Sequence, residues 1–598
     1  MNYRQLLSKL GLLLAIVGIL CLGGCRLADF RTASAQVPQI VLTTLTDPKT
    51  FNPALIQEFP NIGLFCYEGL TKEDGITGDV QPALAQSWEI SEDKRRVVFT
   101  LRERLKWSDG QLLTADDVVF TYRDVIFNPD VPTDAKDNFK IGEQGTYPTV
   151  QKLDDRRIEF RLPEPFAPFL RATSGPEGVA ILPRHILEKT VRPLGNNQPL
   201  PFTSTWNTGT SPAQIVVNGP YQIEQFISGQ RAVFRRNPYY WRKDGQGTAL
   251  PFVERIIWQF IENTDTQLLR FRSGDLDVFG DVRPLRPEYV SLLKREEKRG
   301  KFKIYNGGPW SGTLYMAFNL NRGRNSSGKP FVDPIKSRWF NTQAFRQAVG
   351  YGIDRERINN NVFRGLGVIQ NSPISVQSPF FLTPEQGLKV YDHNPDKARE
   401  LLRGAGFKYN DRGELFDAEG NRVRFTLLTN AGNKVREAMG AQIKQDLAAI
   451  GIQVDFNPIN FNTLLERLNT TRDWDAHIIG FTGGVEPHSA ANLWTSSGGS
   501  HSFNLKSQPG QPPIAGWQAN DWELEIDRLF VEGARELDEN KRKAIYAEFQ
   551  KLVQDQLPVI HLVNDSATMA VRDRVQGVQY SGLPSWGLWN VYDLKVSG

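Results

Sequence analysis

Side chains able to do chemistry are sparse in this sequence and poorly spaced for it. Six histidines stand singly at positions 185, 393, 477, 488, 501 and 561. A zinc or nickel site needs three or four donors converging at short spacing. His488 and His501 share a region with Glu486, but no third donor at such spacing accompanies them, so no metal is expected. Neither a GxSxG nor an HExxH motif occurs, nor a glycine-rich phosphate loop. Cys66 lies in the apolar run Gly63-Leu64-Phe65-Cys66-Tyr67, where burial disfavours the thiolate that a nucleophile needs. The stretch from Asp411 to Asn421 carries the acids of a calcium loop without EF-hand spacing, and a hairpin turn is expected there. The histidines read as structural, no cofactor is expected, and a secreted enzyme is the remote alternative.

The elements that would position these residues form an α/β pattern. Strand-like runs such as Gln39 to Leu45 and Val97 to Leu101 alternate with amphipathic helices. Thr114-Ala115-Asp116-Asp117 opens a helix with acids in its first turn, where the helix dipole favours them. Asn394 caps another with Pro395 at its first position, and a long helix from Asp538 to Gln556 stops before Pro558. Gly110 and Gly219 are expected to supply turn conformations closed to other residues. The 598 residues suggest about four domain-sized units. With 40% hydrophobic and 23% charged residues, a disordered or fibrous chain is excluded. The excess of 71 basic over 67 acidic residues is too small to point to nucleic acid.

The N-terminus reads as an export signal. Arg4 and Lys9 precede an apolar run from Leu10 to Leu22, shorter than the ~20 residues of a membrane-spanning helix. The run ends in Leu22-Gly23-Gly24-Cys25, which resembles the bacterial lipoprotein box. That resemblance implies a signal peptide over 1–24, a lipid on Cys25 and a flexible tether over 25–37. Removing the signal takes away only two charges and leaves a near-neutral chain. Cys66 is then the only free thiol.

From residue 40 to 570 the order of motifs resembles the bacterial extracellular solute-binding proteins of family 5, the peptide-type receptors of ABC importers. Tyr67-Glu68-Gly69-Leu70 and Gln81 to Glu89 match its opening, and Phe99 to Arg102 with Trp107 to Gly110 and Thr114 to Val118 match its signature region. Ile181 to Ile186, Asn218 to Tyr221, Asn237 to Trp241, Arg346 to Ala348, Ile353 to Arg355 and Glu548 to Val553 continue in register. The stretches near 128–147, 193–212 and 498–520 look longer than in the typical member. Asp354 and Arg355 read as a helix cap and its pairing partner, and Trp88 and Trp241 as apolar fillers.

The resemblance implies a two-lobed, hinged, type II periplasmic-binding-protein-like fold with an additional inserted domain. Lobe I would comprise 38–73, 207–310 and 557–598, domain II would be 74–206, and lobe III 311–556. The hinge crossings would fall near Ser311 and Leu557. Ligand would bind between the lobes, and the closed form would dock on a permease with its ATPase subunits. The protein would be a periplasmic monomer held to the membrane by its lipid.

In peptide-binding members a lobe III carboxylate holds the peptide's amine, in a segment matching Gly480 to Pro487. The anchor position falls on Gly484, so either Glu486 replaces the acid or the ligand lacks a free amine. Glu486 also reads equally well as a solvated loop acid. Candidate ligand contacts are Phe481, Thr482, Gly483, Gly484, Glu486, Trp494 and Trp310, with the aromatics equally readable as core. Peptide is the first expectation. An oligosaccharide or other solute is the alternative, favoured by the missing anchor and the aromatic content.

Overall fold

A computed structural model describes residues 37–597, apart from 57–59, 176–177, 194–197, 482, 509–510 and 585. The signal segment, Cys25 and Thr482 lie outside the described residues.

The β-branched run near the start forms the strand Gln39–Thr44, which pairs in parallel with Arg255–Phe260. Parallel neighbours cannot be joined by a tight turn. The chain between them makes the antiparallel strands Tyr221–Ile227 and Arg231–Arg236, completing a four-stranded sheet. Before these it builds a separate antiparallel sheet in the order Ala85–Ile90, Arg96–Leu101, Arg157–Arg161, Thr149–Lys152. The two sheets nevertheless share one hydrophobic core, which joins Ile40, Leu42 and Trp258 to Phe99, Tyr122 and Phe160. Much of the aromatic content is consumed here. Phe65 alone contacts the rings of Phe234, Trp258 and Trp586 at centroid distances of 4.7–5.2 Å. Each such pair contributes about 0.5–1.5 kcal/mol beyond its buried area.

The motif fragments meet in space around a buried carboxylate. Glu68 accepts hydrogen bonds from Tyr240 Oη at 2.7 Å and Trp241 Nε1 at 2.6 Å. The amide of Asn218 accepts from the Glu68 N–H at 2.7 Å and donates to the Ile181 carbonyl. Gly110 has φ +88, as a turn requires. Gly219 departs from the expectation: its φ is not in the left-handed region. A Cβ there would instead lie 2.5 Å from the Cys66 carbonyl carbon, so glycine permits a close approach of two chains.

A second, separate core surrounds a five-stranded mixed sheet in the order Gln453–Ile459, Arg424–Asn430, Ala476–Phe481, Thr313–Phe318, Val559–His561. Helix Pro395–Gly404 starts where the Asn394 amide caps it, and Glu539–Gln556 is capped by Asp538. Asp354 caps Arg355–Val362, while Arg355 donates to the carbonyls of His561, Gly350 and Tyr391, a structural use of both. Lys408–Tyr409 and Leu415–Phe416 form the hairpin expected around Asp411.

The chain crosses between the cores twice. The first crossing runs from strand Phe302–Pro309 through Trp310–Gly312 into Thr313–Phe318. The second lies further along than residue 557. Val559–His561 pairs with Thr313–Phe318, and Leu562 and Val563 still belong to the second core. The chain returns only at Ser566–Arg572, which pairs with Phe302–Pro309. The shift arises because Val559–His561 is the fifth strand of the second lobe's sheet. The crossings are bonded side by side, Trp310 N–H to the Asp565 carbonyl at 3.0 Å and Asn564 Nδ2 to the Gly312 carbonyl at 2.8 Å.

Candidate functional site

Beside the crossings, the second lobe holds a cavity of ≈ 190 Å³. Its floor is a row of side chains across the sheet. Tyr315 stands opposite Ile479 on one side and His561 on the other. Its ring stacks on Phe481 at 5.9 Å with 5° between the planes. One wall is the segment from Gly483 onward, tied to the first crossing by the Ser311 hydroxyl, which donates to the Gly483 carbonyl at 3.3 Å. Glu486 caps the turn Pro487–Ala490 by accepting from the His488 N–H at 3.1 Å. The short helix Ala491–Trp494 then brings in Trp494, which is buried edge-on against Phe549 at 5.3 Å.

Of the residues singled out in the sequence, Phe481, Gly483, Gly484, Glu486 and Trp494 line this cavity together. Trp310 does not. It lies on the crossing and borders a much smaller hollow of ≈ 10 Å³ with Asp281 and Tyr580. Thr313, Tyr315, Gln370, Ser375, Asn492, Ser500 and His561 complete much of the lining and were not anticipated. They come from segments up to 250 positions apart, and a Ser or Gln carries no spacing signal. Only His561 was visible, as one isolated histidine among six.

The electrostatics of the cavity are unusual for a site meant to hold a cation. Glu486 is buried and forms an ion pair with Arg542 at 2.6 Å. The Arg542 guanidinium lies over the Phe380 ring at 4.9 Å. Burial alone would lower the pKa of Arg542; the Glu486 charge beside it reverses this and raises it. His561 is buried and uncharged, its pKa pushed down to about 3 by burial and then by the Arg355 charge. Its Nδ1 faces Thr313 Oγ1 at 3.4 Å, and its Nε2 has no partner among the described residues. His488 is pushed down to about 4, by burial first. At the second crossing, burial raises Asp565 to about 6 against the pull of Arg283 and Arg436.

The inserted segment reaches the back of this wall. Phe166 meets His488 edge-on at 5.1 Å, the Ala167 N–H donates to the Ala534 carbonyl at 2.7 Å, and Arg535 pairs with Glu164 at 2.7 Å. Cys66 is fully buried and its thiol pushed well up by desolvation, which leaves it without nucleophilic character. Among the described residues, no three His, Cys, Asp or Glu gather as metal ligands, and no helix is long and apolar enough to cross a membrane.

Two apolar bodies are thus joined by paired crossings, with a cavity beside them. Residues 79–503 match the family model of the bacterial extracellular solute-binding proteins, family 5. The chain belongs to this family. A probable ABC transporter-binding protein of Deinococcus radiodurans is 29% identical over 555 residues, spanning 89% of this chain and 88% of the relative. In structure the chain resembles the oligopeptide-binding protein AppA of Bacillus subtilis in complex with a nonapeptide. The TM-score is 0.73 at 22% identity, covering 94% of this chain and 99% of that one. It also resembles the periplasmic binding protein MelB of Agrobacterium fabrum in complex with stachyose, with a TM-score of 0.77 at 22% identity, covering 94% and 85%. The fold of this family 5 protein is therefore the two-lobed, type II periplasmic-binding-protein architecture with an additional sheet built into the first lobe.

Proposed function

We propose that this family 5 protein is the substrate-binding component of an ABC importer. It captures peptides between its two lobes and presents them to a membrane permease with its ATPase subunits. The observation that carries this reading is the pair of crossings at Trp310–Gly312 and Asp565, which join two bodies with distinct apolar cores beside a cavity. The likeness to a nonapeptide-bound protein over nearly the whole chain supports peptides as the first ligand class. A ligand favours the closed state only through contacts made to both lobes at once. A micromolar affinity, about −8 kcal/mol, suffices if opening costs a few kcal/mol.

A second ligand class, oligosaccharides, is favoured by one specific observation: Glu486, the carboxylate among the described lining residues, is already neutralised by Arg542. The likeness to a stachyose-bound protein supports it further. A thermal-shift screen with peptide and oligosaccharide pools separates the two. A rise in melting temperature with glycans alone rejects peptides. Binding without turnover is the reading throughout, and conversion of a bound ligand by the purified protein would overturn it. Acylation of Cys25 would hold the monomer at the cell envelope on its periplasmic side. Cys25→Ser should then move the protein from the membrane fraction to the soluble one.

A further inference from the structure

We propose that the second-lobe cavity receives an uncharged, hydroxyl- or amide-bearing group of the ligand, hydrogen-bonded to His561 Nε2, and that it rejects an ammonium group. The inference rests on the solute-capture reading and deepens it by naming the chemistry of one end of the ligand.

Three features lead to it. The first is the charge of the lining. Besides apolar surfaces it consists of Ser, Thr, Gln, Asn and Tyr side chains and one neutral histidine. Its single carboxylate among the described residues, Glu486, sits 2.6 Å from a buried arginine. Arg355, packed under His561, donates to three carbonyls and adds to burial in lowering the pKa of that ring, with the Asp392 charge partly offsetting its own. An incoming cation would lose its hydration shell here and find no uncompensated anion, which is unfavourable in a poorly solvated site.

The second feature is His561 itself. It is 2% exposed, it lines the cavity, and its Nε2 has no partner among the described residues. Buried polar atoms are almost always hydrogen-bonded, so an orphan nitrogen on a residue that lines a cavity leaves a bond for a guest group to complete. A neutral imidazole offers one donor and one acceptor, and both suit a hydroxyl or an amide. Trp494 and Phe481 add flat apolar walls for the carbon skeleton of such a group.

The third feature is the mouth. Gly484 and Ser489 are exposed, and a Cβ added at Gly484 would meet only Ser489 Oγ, at 3.4 Å. The rim therefore has room for a side chain, and its lack of charge is not forced by packing. A blocked peptide end and a sugar ring share the chemistry the cavity would accept.

The test is isothermal titration of the full-length chain with four probes: a free-amine peptide pool, the same pool N-acetylated, the same pool N-succinylated, and a neutral oligosaccharide pool. The expected result is that acetylated peptides or oligosaccharides bind at least about ten-fold more tightly than free-amine peptides. Whichever of the two binds identifies the source of the neutral group. His561→Phe should weaken that ligand by about ten-fold. Gly484→Asp, at an exposed position with space for the side chain, should restore binding of free-amine peptides, and it keeps the test decisive if His561→Phe folds poorly. Tighter binding of free-amine or succinylated peptides by the wild type overturns the inference while leaving solute capture intact. So does neutral-ligand binding that His561→Phe leaves unchanged together with free-amine binding that Gly484→Asp does not restore. If no pool binds the wild type, the capture reading falls and the inference with it.

Discussion

Glu486 Oε1 lies 2.6 Å from Arg542 Nη2, with the two side chains 7% and 8% exposed. The same carboxylate oxygen accepts from the His488 N–H, so one residue ends a strand-to-turn connection and neutralises a buried arginine. Its place in the protein is that of a clasp at the cavity wall. Removing one partner of a buried pair leaves an uncompensated charge and costs about 3–5 kcal/mol. Glu486→Gln keeps an oxygen for the His488 N–H but not the charge. We predict a loss of about 3 kcal/mol in urea unfolding. The affinity for free-amine peptides should not fall selectively relative to N-acetylated ones. A selective fall would make Glu486 an amine anchor after all.

The contact between Glu164 and Arg535 joins the inserted segment to the second lobe, so it exists only when the two bodies are together. Both side chains are partly exposed, and such pairs contribute about 0.2–1 kcal/mol. Arg535→Ala should leave unfolding unchanged but weaken ligand binding by up to about five-fold at low salt. The difference should vanish near 1 M salt, where screening acts within about 3 Å. Titration calorimetry at two salt concentrations checks both statements.

Asp281 is buried beneath Trp586, and desolvation raises its carboxyl to about 7. The folded state therefore holds a proton that the unfolded chain releases near pH 4. Ionisation is penalised in the fold, and the penalty is complete only above pH 7. Asp281→Asn should accordingly stabilise the protein more at pH 8 than at pH 5, by about 2–3 kcal/mol. Equal effects at the two pH values would show that the carboxyl titrates normally.

His488 has the opposite sign. Its pKa is depressed to about 4 by burial, with Arg542 lowering it further and Glu486 opposing. The unfolded chain takes up the proton near pH 6.5, so stability is present above that value and lost as the pH falls toward 4. Neither ring nitrogen has a partner among the described residues, and the ring packs on Phe166 and Phe530. His488→Phe should therefore retain stability at pH 7. Between pH 6.5 and pH 5 it should lose about 2 kcal/mol less than the wild type. Parallel urea titrations of the two proteins measure this directly.

Elements whose signals are local were legible in the sequence. The capped helices at Asn394 and Asp538, the strand at Arg96–Leu101 and the hairpin around Asp411 follow from cap chemistry, periodicity and turn residues that act within a few positions. The order of motifs carried the family. It did not carry the reason for the motifs, which is that Tyr240 and Trp241 donate to the buried Glu68 carboxylate while the Asn218 amide bonds the Glu68 main chain. Nor did it separate the two roles glycine plays at 110 and 219, one a turn and the other a close chain contact.

By itself, the sequence determined the fold class, the family and the absence of any local catalytic signature, because these are written in periodicity and ordered short motifs. The tertiary structure decided the site. It placed His561 opposite Tyr315, moved the second crossing past Leu562, left Trp310 outside the cavity and turned Glu486 from a loop acid into a buried partner of Arg542. Each of these depends on which distant side chains exclude water together. That is a property of packing between segments, and no single stretch of the chain contains it.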